Sequence, residues 1–275
     1  QSDTAAEIKS SHLYGIEFDR EIYALACANM LIHKDGKTNL EQMDARTESA
    51  CEWMKSKPIT KVLMNPPYEN KYGCMTIVEN VLDNVPAHTQ CAFILPDKKL
   101  EKASKAQIKR ILKNHRLRKV IKLPEDLFFG IGITTSIFVF EAGVGQDGKE
   151  FFACYMESDG LATVKNKGRH DIYGKWAAIE AHWVEVMEKQ SGDNTCQWID
   201  PTEHLSYQMP QKPFEIFEED FRKTAIDYLM FQKGIDAKLF GEKLMTTAMY
   251  SSRVGVQNDT VTVVMQKGGD SDDED

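Results

Sequence analysis

The sequence predicts an α/β protein built on a mostly parallel sheet with helices on both faces. Between residues 13 and 143, short apolar runs typical of strands alternate with longer amphipathic segments typical of helices. Hydrophobic residues make up 42% of the 275 positions, enough for one sizeable core or for one core plus a smaller appendage.

The first predicted strand is LYGIE, residues 13–17. Asp19 then stands where a helix over residues 19–33 needs an N-cap. Ile22, Leu25, Ala26 and Asn29 fall on one face of that helix, at i, i+3, i+4 and i+7. TNLEQMDA is predicted to be a strand that ends near Asp44, and CEWMKSKP a polar connector. KVLMNPPY, residues 61–68, is predicted to be the next strand and its exit loop.

The middle of the chain continues the alternation. A helix is predicted over 75–86, with Ile77, Val78, Val81 and Leu82 spaced for burial. CAFILP is a predicted strand. The basic helix KASKAQIKRILKNH follows it and is expected to be buried through Ile108, Ile111 and Leu112. KVIKLP and TTSIFVFEAG are strands joined without a helix, so they can be antiparallel neighbours.

After Gly148 the alternation changes. FFACYM either extends the sheet or starts a hairpin, and helices are predicted at 172–188 and 218–234. We therefore divide the chain into a catalytic core (1–150), a partly helical extension (151–265) and an acidic, disordered tail (266–275).

Charge is segregated along the chain. The net charge is −8, and five of the acids lie in the final GGDSDDED. Residues 98–122 hold eleven Lys or Arg and one Glu, so overall acidity does not exclude a nucleic-acid partner. No apolar stretch is long enough to cross a membrane. Six scattered cysteines without a CxxC pair, and histidines without ligand spacing, predict a cytoplasmic protein with reduced thiols and no metal site.

Three predicted strands end on polar residues: Glu17, Asp44 and Asn65. In open α/β sheets, ligands bind beyond the carboxyl ends of the strands, and an acid at such an end commonly accepts from ribose hydroxyls. The trio therefore suggests a nucleoside-containing cofactor beside a substrate group. For Glu17 or Asp44 alone, helix capping or solvent exposure would be the better interpretation.

Asn65-Pro66-Pro67-Tyr68 indicates the chemistry. Two residues in a row precede a proline, which favours extended backbone and turns two carbonyls away from any helix. The Asn65 side-chain oxygen and a proline carbonyl can then accept from one planar NH₂ group, while Tyr68 offers a flat face for stacking. A proline-rich turn with a surface tyrosine is the simpler alternative.

These motifs resemble the modification subunit of type I restriction-modification systems, which are adenine-N6 DNA methyltransferases that use S-adenosylmethionine. The resemblance rests on GIEFDREIYALACANMLIH, MDA, VLMNPPY, FILP and VIKLPEDLFFGIGITTSIFVFEAG, and it covers about residues 10–145. It implies a Rossmann-like S-adenosylmethionine-dependent fold and a restriction-system enzyme that flips its target adenine out of double-stranded DNA.

The resemblance also implies roles for individual residues. Asn65, Pro66, Pro67 and Tyr68 would form the catalytic motif, with Tyr68 stacking on the base. Glu17 would bind the cofactor ribose, Asp44 would lie near the cofactor adenine, and Asn65 would border both ligands. Phe128 and Phe129 would wall the base pocket, or else be ordinary core or loop aromatics. The implied partners are a specificity subunit, a restriction subunit and a second modification subunit.

The sequence departs from the family in one respect. The glycine-rich loop that should precede the strand of Glu17 is absent, and AGVGQDG, the one literal GxGxxG, is interpreted as a hairpin loop. We therefore expect the chain to be an N-terminally incomplete fragment that is inactive alone. Lys105, Lys109 and Lys113 either contact DNA phosphates or form a solvated helix face. The alternatives are a methyltransferase acting on protein glutamine or RNA guanine, and an inactive assembly subunit.

Overall fold

The structure is a computed structural model that describes residues 3–33, 39–125, 127–128, 132–164, 167–210, 216–250, 252–257 and 260–265. The chain divides into two compact units, Gln1–Met209 and Pro210–Asp275. The boundary expected at residue 150 falls inside the first unit, because later strands continue its sheet. The predicted acidic tail, 266–275, lies outside the described residues.

The helices and strands of the first unit, in chain order, are α1 (Asp3–Ser11), β1 (Tyr14–Glu17), α2 (Arg20–Ile32), β2 (Asn39–Gln42), α3 (Glu48–Lys55), β3 (Lys61–Met64), α4 (Cys74–Asn84), β4 (Gln90–Pro96), α5 (Lys99–Lys102), α6 (Lys105–Asn114), β5 (Arg116–Lys122), β6 (Thr135–Glu141), β7 (Phe151–Tyr155), β8 (Ala162–Val164), β9 (Gly168–His170), α7 (Trp176–Lys189) and β10 (Gln197–Ile199). A single 3₁₀ turn, Asn70–Tyr72, precedes α4.

The central sheet has six strands in the order β10-β7-β5-β6-β4-β3. Four of them (β3, β4, β5 and β7) run in one direction, while β6 and β10 are antiparallel to their neighbours. The sheet is thus mainly parallel, as predicted, and β5 and β6 are antiparallel neighbours. FFACYM is β7, which extends the sheet beside β5. The interpretation of AGVGQDG as a hairpin loop was wrong, because β6 and β7 lie on opposite sides of β5.

Both faces of this sheet are covered. One face carries Phe93, Phe138 and Phe140, all fully buried, and packs with side chains of α3, α4 and α6. The other face packs Phe152 and Cys154 against Trp183 and Val186 of α7. The four apolar positions predicted for α4 are buried, and α6 buries Ile111 fully and Ile108 and Leu112 in part.

β1 and β2 form a separate, parallel two-stranded sheet. Within the described ranges, no strand ladder joins this pair to β3. Asp19 caps α2 as predicted, but no side chain of α2 is buried, and Ile22 and Leu25 are more than half exposed. The stretch interpreted as a polar connector is instead helix α3, which begins after Thr47, whose hydroxyl accepts from the Ala50 amide.

The second unit contains α8 (Glu218–Gln232), α9 (Ala237–Tyr250) and an antiparallel hairpin of β11 (Ser252–Gln257) and β12 (Thr260–Met265). α8 was predicted, whereas α9 and the hairpin were not. No helix in the described part of the chain is long and apolar enough to cross a lipid bilayer.

Candidate active site

The NPPY motif leaves the carboxyl end of β3, the strand at one edge of the central sheet. β3 ends at Met64 because neither Pro66 nor Pro67 has an N–H to continue a ladder. Pro66 is buried, whereas Asn65 and Pro67 are exposed. No hydrogen bond joins the Asn65 side chain to any other described residue. Its amide is therefore available to a ligand at the edge where α/β sheets bind them.

Tyr68 is anchored through its backbone, and its hydroxyl is buried. Its backbone carbonyl accepts a hydrogen bond from Lys99 Nζ, and the Lys99 side chain is only 9% exposed. The Tyr68 hydroxyl is buried and has no hydrogen-bond partner in the described structure. Burial, and secondarily the nearby Cys74 thiol, raises the pKa of Tyr68, so the phenol stays protonated at neutral pH.

Glu17 and Asp44 lie at the same end of the β1–β2 sheet. The Met43 amide donates to the Glu17 carbonyl (3.1 Å), and Asp44 is the next residue. The Glu17 carboxylate accepts from the Asp19 amide at 2.8 Å. The structure thus brings together the two acids that the sequence predicted for one ligand, on strands that have no ladder to the strand of Asn65.

Arg46 occupies the Asp44 carboxylate. Its Nε and Nη2 donate to both carboxylate oxygens at 2.6–3.0 Å, and the Asp44 pKa is lowered chiefly by these bonds. Arg46 Nη1 also reaches the Tyr72 carbonyl, at 3.5 Å. This arginine therefore links the loop after β2 to the segment that follows NPPY, and sequence reasoning missed it because nothing local sets it apart from a surface arginine.

A polar cluster follows β4, beside the NPPY loop. Asp97 accepts from Lys122 Nζ at 2.7 Å through one oxygen and from Ser136 Oγ at 2.6 Å through the other. Lys122 and Ser136 are buried. Sequence reasoning missed Asp97 and Lys99, whose only signal was two polar residues directly after a buried strand. Phe128 is half-buried, and Phe129 lies outside the described residues.

The basic block does not form one surface. Lys99 and Lys122 are buried, and Arg110 pairs with Glu79 across to α4. Lys119 donates to the Met187 carbonyl at 2.6 Å, and burial lowers the Lys119 pKa. Lys105, Lys109 and Lys113 are exposed along α6. Of the predicted phosphate contacts, these three remain accessible from solvent.

Comparison with known proteins decides the family. Residues 1–95 and 75–171 match the sequence profile of the N-6 DNA methylases, which covers more than half of the chain. The chain belongs to the N-6 DNA methylase family. The resemblance drawn from the NPPY motif and its surroundings is confirmed, and S-adenosylmethionine is the cofactor that the family and fold imply.

Among relatives, the chain is 28% identical over 256 residues to the type II restriction enzyme and methyltransferase RM.BcgI of Heyndrickxia coagulans. The match covers 86% of this chain but 39% of that protein, so the chain spans well under half the length of this relative.

Two solved structures share the fold. A modification subunit assigned to a type I restriction enzyme of Vibrio vulnificus aligns with a TM-score of 0.54 and 14% identity, covering 76% of this chain and 47% of that one. The methyltransferase subunit of a type I restriction-modification system from Streptococcus thermophilus aligns with a TM-score of 0.52 and 19% identity. This alignment covers 69% of this chain and 45% of that one.

Proposed function

We propose that the chain carries the substrate half of an adenine-N6 DNA methyltransferase active site, in a modification subunit of the type I class. The observation that carries this proposal is the exposed, unpaired Asn65 amide, which lies between the half-exposed edge strand β3 and two prolines. The Asn65 side-chain oxygen and the Pro66 carbonyl accept from the adenine amine, which draws its lone pair toward the methyl donor. Pro67 keeps Pro66 extended, and Tyr68 stacks on the flipped base.

The residues at the cofactor side fit S-adenosylmethionine in part. Glu17, at the end of β1, suits the ribose hydroxyls, and Asp44, at the end of β2, suits the cofactor adenine, with Asn65 bordering both ligands. Arg46 already uses both Asp44 oxygens, so an adenine amine must share or displace this pair. When bound, the cofactor supplies the methyl group.

Cofactor binding in this proposal needs a strand between β1 and β3. Each of these strands pairs on one side alone among the described residues, β1 with β2 and β3 with β4. We expect the isolated chain to bind S-adenosylmethionine weakly and to be inactive. Titration calorimetry tests this directly, and micromolar affinity of the isolated chain would contradict it.

The substrate is tested with the natively encoded protein, meaning the whole product of the gene, co-expressed with the products of the neighbouring genes. Duplex DNA, RNA and protein extract are each incubated with labelled S-adenosylmethionine, and the product is digested and identified by mass spectrometry. We expect N6-methyladenine in DNA. Asn65→Ala should abolish it, with Asn114→Ala, at the C-terminus of α6, as the matched surface control. Equal methylation by Asn65→Ala and the wild type would mean that NPPY has no catalytic role and would favour an assembly subunit. Methylated glutamine in protein or methylated guanine in RNA would assign another substrate.

DNA phosphates are proposed to lie along α6. Lys105, Lys109 and Lys113 share its exposed side, and each neutralised phosphate adds about 0.9 to the slope of log affinity against log salt. Changing all three to Glu should flatten that slope for the native complex. An unchanged slope would leave α6 as a solvated face.

Partner subunits are proposed to contact α8. No residue of α8 is buried, and Phe221, Leu229 and Phe231 are each more than half exposed. Such an apolar helix suits a helix of a specificity subunit, within a complex that also holds a second modification subunit and a restriction subunit. Phe231→Glu should abolish co-purification of the specificity subunit, while the variant chain itself remains folded.

A further inference from the structure

The turn after β4 touches both loops that the proposed base pocket needs. Asp97 and Lys99 are two residues apart, on a sharp connection between β4 and the single-turn helix α5. Lys99 reaches the loop after β3, and Asp97 reaches the segment between β5 and β6. The connection therefore joins the two loops that carry Tyr68 and Phe128.

Asp97 holds both stems of the segment that carries Phe128. Lys122, at the end of β5, donates to one carboxylate oxygen of Asp97 at 2.7 Å. Ser136, near the start of β6, donates to the other at 2.6 Å. The Asp97 amide also donates to the Thr134 carbonyl at 3.1 Å. One side chain thus fixes where residues 123–134 leave the sheet and where they return.

Lys99 holds the other loop. Its ammonium is taken out of water to reach the Tyr68 carbonyl, although Pro66 and Pro67 already stiffen the chain on the near side. Prolines set backbone angles but give no anchor to a neighbouring element. The Lys99 contact provides that anchor directly after the motif.

Burial of these charges argues against a purely stabilising role. The Lys122 side chain is 6% exposed and that of Asp97 19%. Replacing a buried ion pair by apolar residues is often neutral or stabilising, so such a pair is weak evidence for stability alone. Asp97 joins the two stems of one loop through its ion pair with Lys122 and its hydrogen bond from Ser136, and two residues away Lys99 joins a second loop. This arrangement is better explained by the geometry that it fixes.

We propose that Asp97 and Lys99 form a brace that sets the separation of Tyr68 from Phe128. Both are positioning residues, because neither needs to touch the base. The inference rests on the proposed adenine methylation, whose pocket these two rings would wall. A displacement of about 1 Å at such a site can lower a rate about 100-fold, so the brace acts on the chemical step and not on binding.

Hydrogen exchange in the natively encoded protein tests the brace without any activity. Lys99→Met should speed amide exchange in peptides covering 66–72 about tenfold, and Asp97→Asn should do so in peptides covering 122–136. Glu101→Gln is the matched control: it also lies on α5, but its carboxylate binds the Leu205 amide and Ser206, away from both loops. Exchange in both loops equal to that of the control would overturn the brace.

Kinetics tie the brace to the reaction. The wild type is first assayed for N6-methyladenine, and failure there refutes the proposed function while leaving the exchange result to judge the brace. In an active enzyme, Asp97→Asn and Lys99→Met should lower the single-turnover rate about 100-fold, with DNA and cofactor Kd within threefold, and Lys99→Arg should recover part of it. Asp97→Asn should lose most of its effect in a Phe128→Ala background. Strictly additive losses, or rates equal to that of Glu101→Gln, would overturn the proposal.

Discussion

Leu63 is the sharpest indicator of whether another part of the protein covers β3. It lies in a strand yet is 87% exposed. Side chains alternate along β3, so Val62 and Met64 pack on the core while Leu63 points to the opposite face, beside Ala92 of β4. On that face, the cluster that includes α7 takes side chains from β5, β6 and β7 and reaches β4 at Ile94. An apolar side chain so placed is unusual unless something lies over it in the native protein.

Truncation of Leu63 should therefore have two very different costs. Full burial of a leucine contributes about 1.5–3 kcal/mol, and Leu63 buries only about an eighth of its surface here. Leu63→Ala should lower the unfolding free energy of the isolated chain by less than about 0.5 kcal/mol. If another part of the native protein covers this face, the loss there should be about 2–5 kcal/mol.

Urea denaturation followed by circular dichroism measures both values. Leu95→Ala is the control, because Leu95 is fully buried in β4 and should cost about 2–5 kcal/mol in either form. The same small effect of Leu63→Ala in both forms would refute the reasoning, since it would mean that nothing covers this face of β3 in the native protein either.

Three further outcomes are expected. The Cys91 thiol, whose pKa burial raises to about 12, should resist iodoacetamide at pH 8.5 in the folded chain and react in 8 M urea, which mass spectrometry can count. Arg46 lowers the Asp44 pKa below its ordinary 3.8, so this pair stabilises the fold above about pH 4 and loses its effect as the pH falls through the folded-state pKa. In urea titrations, Arg46→Ala should cost less than about 1 kcal/mol at pH 7, and this cost should shrink as the pH is lowered toward about 2. Gly143 and Gly148 both have left-handed φ (70° and 69°), but an added Cβ would meet Ala87, at 2.8 Å, only at Gly143. In thermal denaturation, Gly148→Ala should therefore lower the unfolding free energy by about 1–2 kcal/mol, and Gly143→Ala should lower it clearly more.

Periodicity predicted the elements whose burial is local. α4 needed only the spacing of its apolar residues, and β3 was marked by an apolar run that ended in two prolines. Periodicity failed at α3, whose short, polar sequence hides the two residues that it buries, Ala50 and Met54. It predicted α2 and its cap correctly, but no residue of α2 is buried, since the pattern of a helix does not reveal whether a partner covers it.

Long-range polar contacts lay beyond any reading of the sequence. Lys99 and Lys122 looked like members of a charged block facing solvent, and only the fold shows that each ammonium turns inward to a different loop. The prediction of a hairpin between β6 and β7 was wrong for a related reason. Strand pairing over distant positions depends on the whole sheet, and the glycines between these strands fit a hairpin equally well.

Two strand edges have no ladder partner among the residues that the structure describes, and this has a practical consequence for work with the chain. β1 and β3 each present a row of backbone amides and carbonyls, and such rows pair readily with another chain. β3 has little to prevent this, since its Leu63 adds an apolar contact and Lys61 is its one charge. These two edges should make the chain self-associate as its concentration rises, and dilution should reverse the association.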